Sequence, residues 1–232
     1  MKTIGMIGGM SWESSLEYYR LVNELVKDRL GGYHSAKVIM NSLDFAEVEL
    51  LQHEGRWQEA GIMMADAALT LQNSGADFVV LCTNTMHKCT PEIEAAIQIP
   101  FLHIVDPTAE AICKMGIKTI GLLGTKFTME EDFYKGRLKD KFSLEVIIPS
   151  TGDQEKIHQV IFQELVLGKT NPESSKAYLD IISKLIQNGA EGIIFGCTEI
   201  GLLISPDDVH VPVFDTTILH ARAAVDFAFQ SG

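Results

Sequence analysis

Cys197, Thr198 and Glu199 follow directly on the run Ile193-Ile194-Phe195-Gly196. A thiol, a hydroxyl and a carboxylate in succession can hold and pass a proton. The apolar run before them reads as a buried parallel strand. Gly196 allows a sharp turn where a side chain would crowd. Cys197 then sits at the carboxyl end of a strand, where open α/β sheets bind ligands. If a helix starts there, its N–H groups favour an anion and a thiolate. The plain alternative is a cysteine acting as a small buried hydrophobe. The polar residues that come next favour a functional thiol.

The chain carries this pattern twice. Residues 75–85, Gly-Ala-Asp-Phe-Val-Val-Leu-Cys-Thr-Asn-Thr, align without a gap on residues 189–199. Thr83 then matches Cys197, Asn84 matches Thr198 and Thr85 matches Glu199. Cys82 falls on Gly196 and is not the counterpart of the second thiol. Lys2-Thr3-Ile4-Gly5 also recurs as Lys118-Thr119-Ile120-Gly121, at nearly the same spacing. Two repeats in one order argue for two similar halves. Thr83-Asn84-Thr85 can hold a carboxylate, and the same residues can cap a helix. His87, alone beside them, reads as structural. Lys169 either offers a cation or is a solvated charge at a helix end.

The elements that must position these groups alternate. Strands are expected at residues 3–9, 37–43, 78–81 and 100–105, then at 119–123, 144–148, 192–196 and 211–214. Ser11 caps a helix running to about residue 29. Residues 44–52 read as a loop or short helix, and 59–73 as a helix. Thr90-Pro91 opens another. A linking helix covers 107–115, and Thr128 is the expected cap of the helix after the fifth strand. Helices follow at 154–167, 172–188 and 217–229. The alternation means α/β with parallel sheets. The expected architecture is two similar Rossmann-like lobes related by a pseudo-twofold axis, with the active site in the cleft between them. Residues 1–104 form the first lobe, completed by the C-terminal helix 216–232. Residues 105–215 form the second.

Composition excludes several classes. The net charge of −12 argues against nucleic acid or an anionic membrane surface as partner. The four cysteines form no C-x-x-C pair, and the seven histidines lack metal-site spacing, so no metal is expected. Met1-Lys2 leads straight into a strand pattern, so no signal peptide is expected, and no apolar run is long enough to span a membrane. The expected setting is cytoplasmic, with reduced thiols. Gly5-x-x-Gly8-Gly9 does not fit the dinucleotide fingerprint and reads as a turn needing close backbone approach. Cys89 and Cys113 read as structural.

Ile-Gly-Met-Ile-Gly-Gly-Met at 4–10, Asn-Thr-Met-His at 84–87, Gly-Leu-Leu-Gly-Thr-Lys-Phe-Thr at 121–128 and Gly-Cys-Thr-Glu at 196–199 together resemble the aspartate/glutamate racemase family that works without pyridoxal phosphate. The resemblance implies a homodimeric isomerase without a cofactor, acting on a small acidic amino acid. It implies two thiols on opposite faces of the α-carbon, the second-half cysteine facing the α-hydrogen of the L enantiomer. Here the first of these is Thr83, so Thr83 and Cys197 are the expected catalytic pair and the L enantiomer the expected substrate. By position, Met10, Gln52, Asn84, Thr85, Thr125, Lys169, Thr198 and Glu199 are the implied substrate contacts. Lys169 would take the side-chain carboxylate. A thiol-dependent decarboxylase, a hydantoin racemase and a binding protein without catalysis stay open as alternatives.

Overall fold

The computed structural model describes residues 1–230. The chain divides into two units, Met1–Ile104 together with the chain from His220 on, and Val105–Leu219. In the first, β1 (Ile4–Gly8), α1 (Trp12–Leu30), β2 (Val38–Ser42), α2 (Phe45–His53), α3 (Trp57–Asn73), β3 (Phe78–Leu81), α4 (Thr90–Ala96) and β4 (Phe101–Leu102) follow in order. The second holds α5 (Val105–Lys114), β5 (Thr119–Gly124), α6 (Lys126–Glu130), α7 (Asp132–Phe142), β6 (Glu145–Ile147), α8 (Thr151–Gln163), α9 (Pro172–Gln187), β7 (Gly192–Gly196), α10 (Ile200–Leu203) and β8 (Val213–Asp215). The last helix, α11 (Thr216–Phe229), runs from the second unit into the first.

Each unit is a four-stranded parallel sheet flanked by helices, ordered β2-β1-β3-β4 and β6-β5-β7-β8. The two registers repeat each other. Ile4 pairs with Phe78 in the first sheet, and Ile120 pairs with Gly192 in the second. The Lys-Thr-Ile-Gly repeat places Ile4 on Ile120, and the other repeat places Phe78 on Gly192. Thr83 and Cys197 therefore stand at corresponding positions, beyond the ends of β3 and β7.

The first unit's core shows how β3 sorts its side chains. Val79 and Leu81 enter an apolar cluster with Ile7 and with Met64, Ala67 and Leu71 of α3. Phe78, Val80 and Cys82 enter the opposite cluster, with Tyr18 and Val22 of α1 and Ala221, Ala224 and Val225 of α11. The alternation of a strand continues through Cys82 and puts its thiol under α1 and α11. Each large apolar side chain so buried contributes roughly 1.5–3 kcal/mol. Lys2 N–H also donates to Ala228 O at 2.8 Å, pinning α11 to the start of β1.

Several local expectations shift. The fourth strand shrinks to Phe101–Leu102, because α5 begins at Val105 and seats Pro107 in its first turn, where no N–H is needed. Thr125, not Thr128, caps the helix after β5: Thr125 Oγ1 accepts the Thr128 N–H at 3.3 Å. The expected helix 154–167 stops at Gln163, and a 3-10 turn, Leu165–Leu167, follows before Gly168. Residues 44–52 settle as helix α2, capped by Asp44. The last strand moves on to Val213–Asp215.

Gly9 has φ +92°, and a Cβ there would lie 2.1 Å from Leu43 O. Gly9, just after β1, thus answers to close backbone approach. Gly9→Ala is expected to lower stability by about 2–4 kcal/mol in chemical denaturation. Gly136→Ala, inside α7 with only ordinary contacts around its Cβ, is the contrasting control. It should raise stability by about 0.5–1 kcal/mol.

Candidate active site

In the first unit, Thr83, Asn84 and Thr85 leave the end of β3 and enter a 3-10 turn, Thr85–Cys89. All three are buried. Gln52 reaches the same turn from α2, donating its Nε2–H to Met86 Sδ at 3.0 Å. Its Oε1 is buried and has no partner among the described residues. Met10, just past the neighbouring strand β1, packs in the cluster that holds Met86. So Met10, Gln52, Thr83, Asn84 and Thr85 are gathered beside the carboxyl ends of the neighbouring strands β1 and β3.

Ser14 and Ser15 buttress that end, and the sequence reading missed them, while Ser11 takes its expected place as the cap of α1. Ser14 Oγ donates to Cys82 O at 2.7 Å. Ser15 Oγ accepts the Gly9 N–H at 2.7 Å and donates to Ser11 O at 3.0 Å. Ser11 Oγ caps α1 by accepting from Ser14 N–H. The only signal was a run of small polar residues at a helix start, which capping alone explains.

In the second unit, Thr125 and Cys197 emerge side by side, one residue past the paired Gly124 and Gly196. Cys197 is buried, 8% exposed, and its Sγ–H donates to Glu199 Oε2 at 3.1 Å. Thr198 Oγ1 donates to the same oxygen. Thr216 Oγ1 holds Phe195 O at 2.9 Å, just before the turn. Asp215 caps α11 through Oδ1, which accepts the N–H groups of Thr217 and Ile218. Lys169 lies exposed beyond the Leu165–Leu167 turn, which packs on α10. Among the described residues no hydrogen bond or ion pair holds its side chain.

The charge balance corrects the expectation of a thiolate favoured by helix N–H groups. The helix after Cys197 is one turn, α10, too short for an appreciable dipole. The Cys197 thiol is held well above its usual range. Burial is the largest cause, and the Glu199 carboxylate follows, by charge and by accepting the thiol proton. Asp215 adds to the rise, and only the Glu199 N–H opposes it. Tyr178 of α9 also feels the charges of Cys197 and Glu199, and its own ionisation is pushed up, mainly by burial. Neither Asp215 nor Tyr178 stood out in the sequence. Each sits in an ordinary strand or helix pattern far from Cys197 along the chain.

The remaining cysteines offer no second nucleophile at these strand ends. Burial alone pushes the Cys82 thiol far up. Cys89 is buried in the apolar cluster and is raised to about 12. Cys113 is exposed on α5, so its expected structural role is not met. His87 is buried and bonded through both ring nitrogens. Among the described residues no three His, Cys, Asp or Glu side chains are placed to hold a metal, and no helix is long and apolar enough to cross a membrane.

A thiol with this surrounding reacts slowly at neutral pH. Alkylation of Cys197 by iodoacetamide, followed by mass spectrometry, should rise with pH and reach its midpoint well above that of a free thiol. Glu199→Gln removes a negative charge and should move that midpoint down. An unchanged midpoint in Glu199→Gln would remove the carboxylate from this account.

Comparison with known proteins agrees with this geometry. The Asp/Glu/Hydantoin racemase family matches residues 7–224. A crystal structure from Yersinia pestis, described as a candidate Asp/Glu racemase, is 53% identical. It superposes with a TM-score of 0.92 over 99% of this chain and 100% of that one. An aspartate racemase homologue from Pyrococcus horikoshii OT3 is 34% identical, with a TM-score of 0.85 over 99% of this chain and all of its own. The broad specificity amino-acid racemase RacX of Bacillus subtilis is 27% identical over 168 residues, 72% of each chain. With its two repeated parallel sheets and a family match over nearly its whole length, the chain belongs to the Asp/Glu/hydantoin racemase family.

Proposed function

We propose that the protein is an amino-acid racemase that acts on aspartate or glutamate, favours the L enantiomer and needs no pyridoxal phosphate. The observation that carries this is the matched register of the two sheets, which puts Thr83 and Cys197 at corresponding strand ends. Racemisation removes an α-proton from one face and returns one to the other. That chemistry calls for a group able to exist in both protonation states on the face that is deprotonated. Cys197 is such a group and Thr83 is not, since a threonine hydroxyl stays protonated.

In this mechanism Glu199 first takes the Cys197 proton along their 3.1 Å hydrogen bond. The bound substrate ammonium offsets the negative charge that otherwise disfavours the thiolate. The thiolate then takes the α-proton of the L substrate. Asn84, Thr85 and Thr198, with neighbouring N–H groups, hold the α-carboxylate and amino group. Thr83, or a water it holds, delivers a proton to the other face, and solvent restores it. Glu199 returns its proton to solvent as the cycle closes. Met10, Gln52 and Thr125 line the strand ends, and Lys169 takes the side-chain carboxylate by a swing of its exposed chain. The reading carries with it a cytoplasmic homodimer.

Chiral chromatography of reaction mixtures tests this. L- and D-aspartate, L- and D-glutamate, neutral amino acids, a 5-substituted hydantoin and an arylmalonate form the panel. L-aspartate or L-glutamate should racemise, and their D forms should turn over far more slowly. Cys197→Ala should lose about 100-fold or more in rate. Thr83→Cys should gain work on the D forms. Turnover of the hydantoin or decarboxylation of the malonate in place of the acidic amino acids would overturn the substrate assignment. Ligand binding with no turnover of any substrate would leave a binding protein.

A further inference from the structure

His87 is 1% exposed, and the mechanism above does not use it. Its Nδ1 lies 2.7 Å from Thr83 O, and its Nε2 lies 3.1 Å from Ile104 N. A carbonyl only accepts and an amide N–H only donates. These partners therefore assign a neutral ring with its proton on Nδ1. The bond spans two places that matter. Thr83 stands at the strand end matched to Cys197, and Ile104 is the last residue of the first unit before the chain passes to the second.

The peptide between Thr83 and Asn84 has its C=O turned to His87. In a trans peptide the N–H points the opposite way. The His87 bond thus turns the Asn84 N–H away from the ring, and it sets the ψ angle that aims the Thr83 side chain. The ring is itself held in place. Its centroid lies 4.5 Å from that of His103 and 5.6 Å from that of Phe101. Its own backbone N–H donates to Asn84 O at 3.1 Å, and its carbonyl accepts from Thr90 Oγ1 at 2.7 Å. The nearby His220 is fixed too, with Tyr18 Oη at 2.8 Å from its Nδ1 and Leu102 O at 2.9 Å from its Nε2. An imidazole locked on all sides is suited to hold one peptide in one orientation.

We propose that His87 is a positioning residue, whose Nδ1–H locks the Thr83–Asn84 peptide so that the Thr83 hydroxyl and the Asn84 N–H are presented to the substrate. This rests on the racemase reading. A purely structural histidine would matter equally through Ile104, so the two bonds must be separated. His87→Asn puts an N–H donor at the Nδ1 position and loses the acceptor for Ile104. His87→Gln puts an amide oxygen at the Nε2 position, keeps that acceptor and loses the donor to Thr83.

The experiment measures kcat/KM for racemisation of the preferred L substrate, with the melting temperature of each variant. His87→Asn should stay within about 5-fold of the unmodified enzyme, and His87→Gln should lose about 30-fold or more, at similar melting temperatures. Equal losses in the two variants, or a more active His87→Gln, would overturn the proposal. The unmodified enzyme runs in parallel. No racemisation there overturns the racemase reading and this role with it. Full activity in His87→Gln beside an active unmodified enzyme overturns only the role of His87. Nitrogen NMR of the unmodified protein adds an arm that needs no variant. It should find the His87 proton on Nδ1, and a proton on Nε2 would contradict the assigned bond.

Discussion

The second unit depends on a contact between two backbones. A Cβ on Gly124 would lie 2.8 Å from Gly196 O, and a Cβ on Gly196 would lie 2.7 Å from Leu123 O. The ends of β5 and β7 therefore come together with no side chain between them. Thr125 and Cys197 leave that contact as neighbours. The first unit uses a different solution at the matching place. Gly8 is closed in by Ser15, whose Oγ would lie 2.6 Å from an added Cβ. The position opposite Gly8 admits a side chain, Cys82, because the strand alternation turns it into the apolar cluster under α1 and α11. One architecture thus tolerates a thiol that packs and requires a glycine before the thiol that faces polar groups.

The two strand ends differ most in charge. Cys197 shares its end with Glu199 and Asp215, and burial joins them in raising its ionisation. The free protein therefore rests as a thiol bonded to a carboxylate. In the mechanism we propose, the positive amino group of the substrate reverses that balance on binding, so the reactive form appears when there is something to react with. Thr83 shares its end with Asn84, Thr85 and the neutral His87 ring. That set can hold anions and donate protons, and the one basic lone pair in it, on His87 Nε2, already accepts the Ile104 N–H. The asymmetry between the halves follows from these neighbours as much as from the single exchange of cysteine for threonine.

Much of this is legible in the amino-acid sequence. The apolar runs closed by Gly8, Gly124 and Gly196 marked the strand ends, because buried parallel strands leave few alternatives. The ungapped repeat paired Thr83 with Cys197, and sheet registration reproduces that pairing. Other features depend on contacts that spacing does not encode. Thr125 and Thr128 are both able caps, and only the path of the chain selects Thr125. The one-turn length of α10 was hinted at by Gly201 and Pro206, and it decides how weakly helix N–H groups act on Cys197. Asp215, Tyr178 and the Ser14–Ser15 pair reach the strand ends only through folding.

The central claim is that one thiol does the deprotonation. Proton NMR in heavy water reads it directly, through the α-proton signals of L- and D-aspartate and of L- and D-glutamate. The account predicts that the unmodified protein exchanges the α-proton of an L enantiomer for deuterium, leaves the D enantiomers nearly untouched, and loses all exchange in Cys197→Ala. Rapid exchange of a D enantiomer by the unmodified protein, or exchange in Cys197→Ala at close to the unmodified rate, would contradict it.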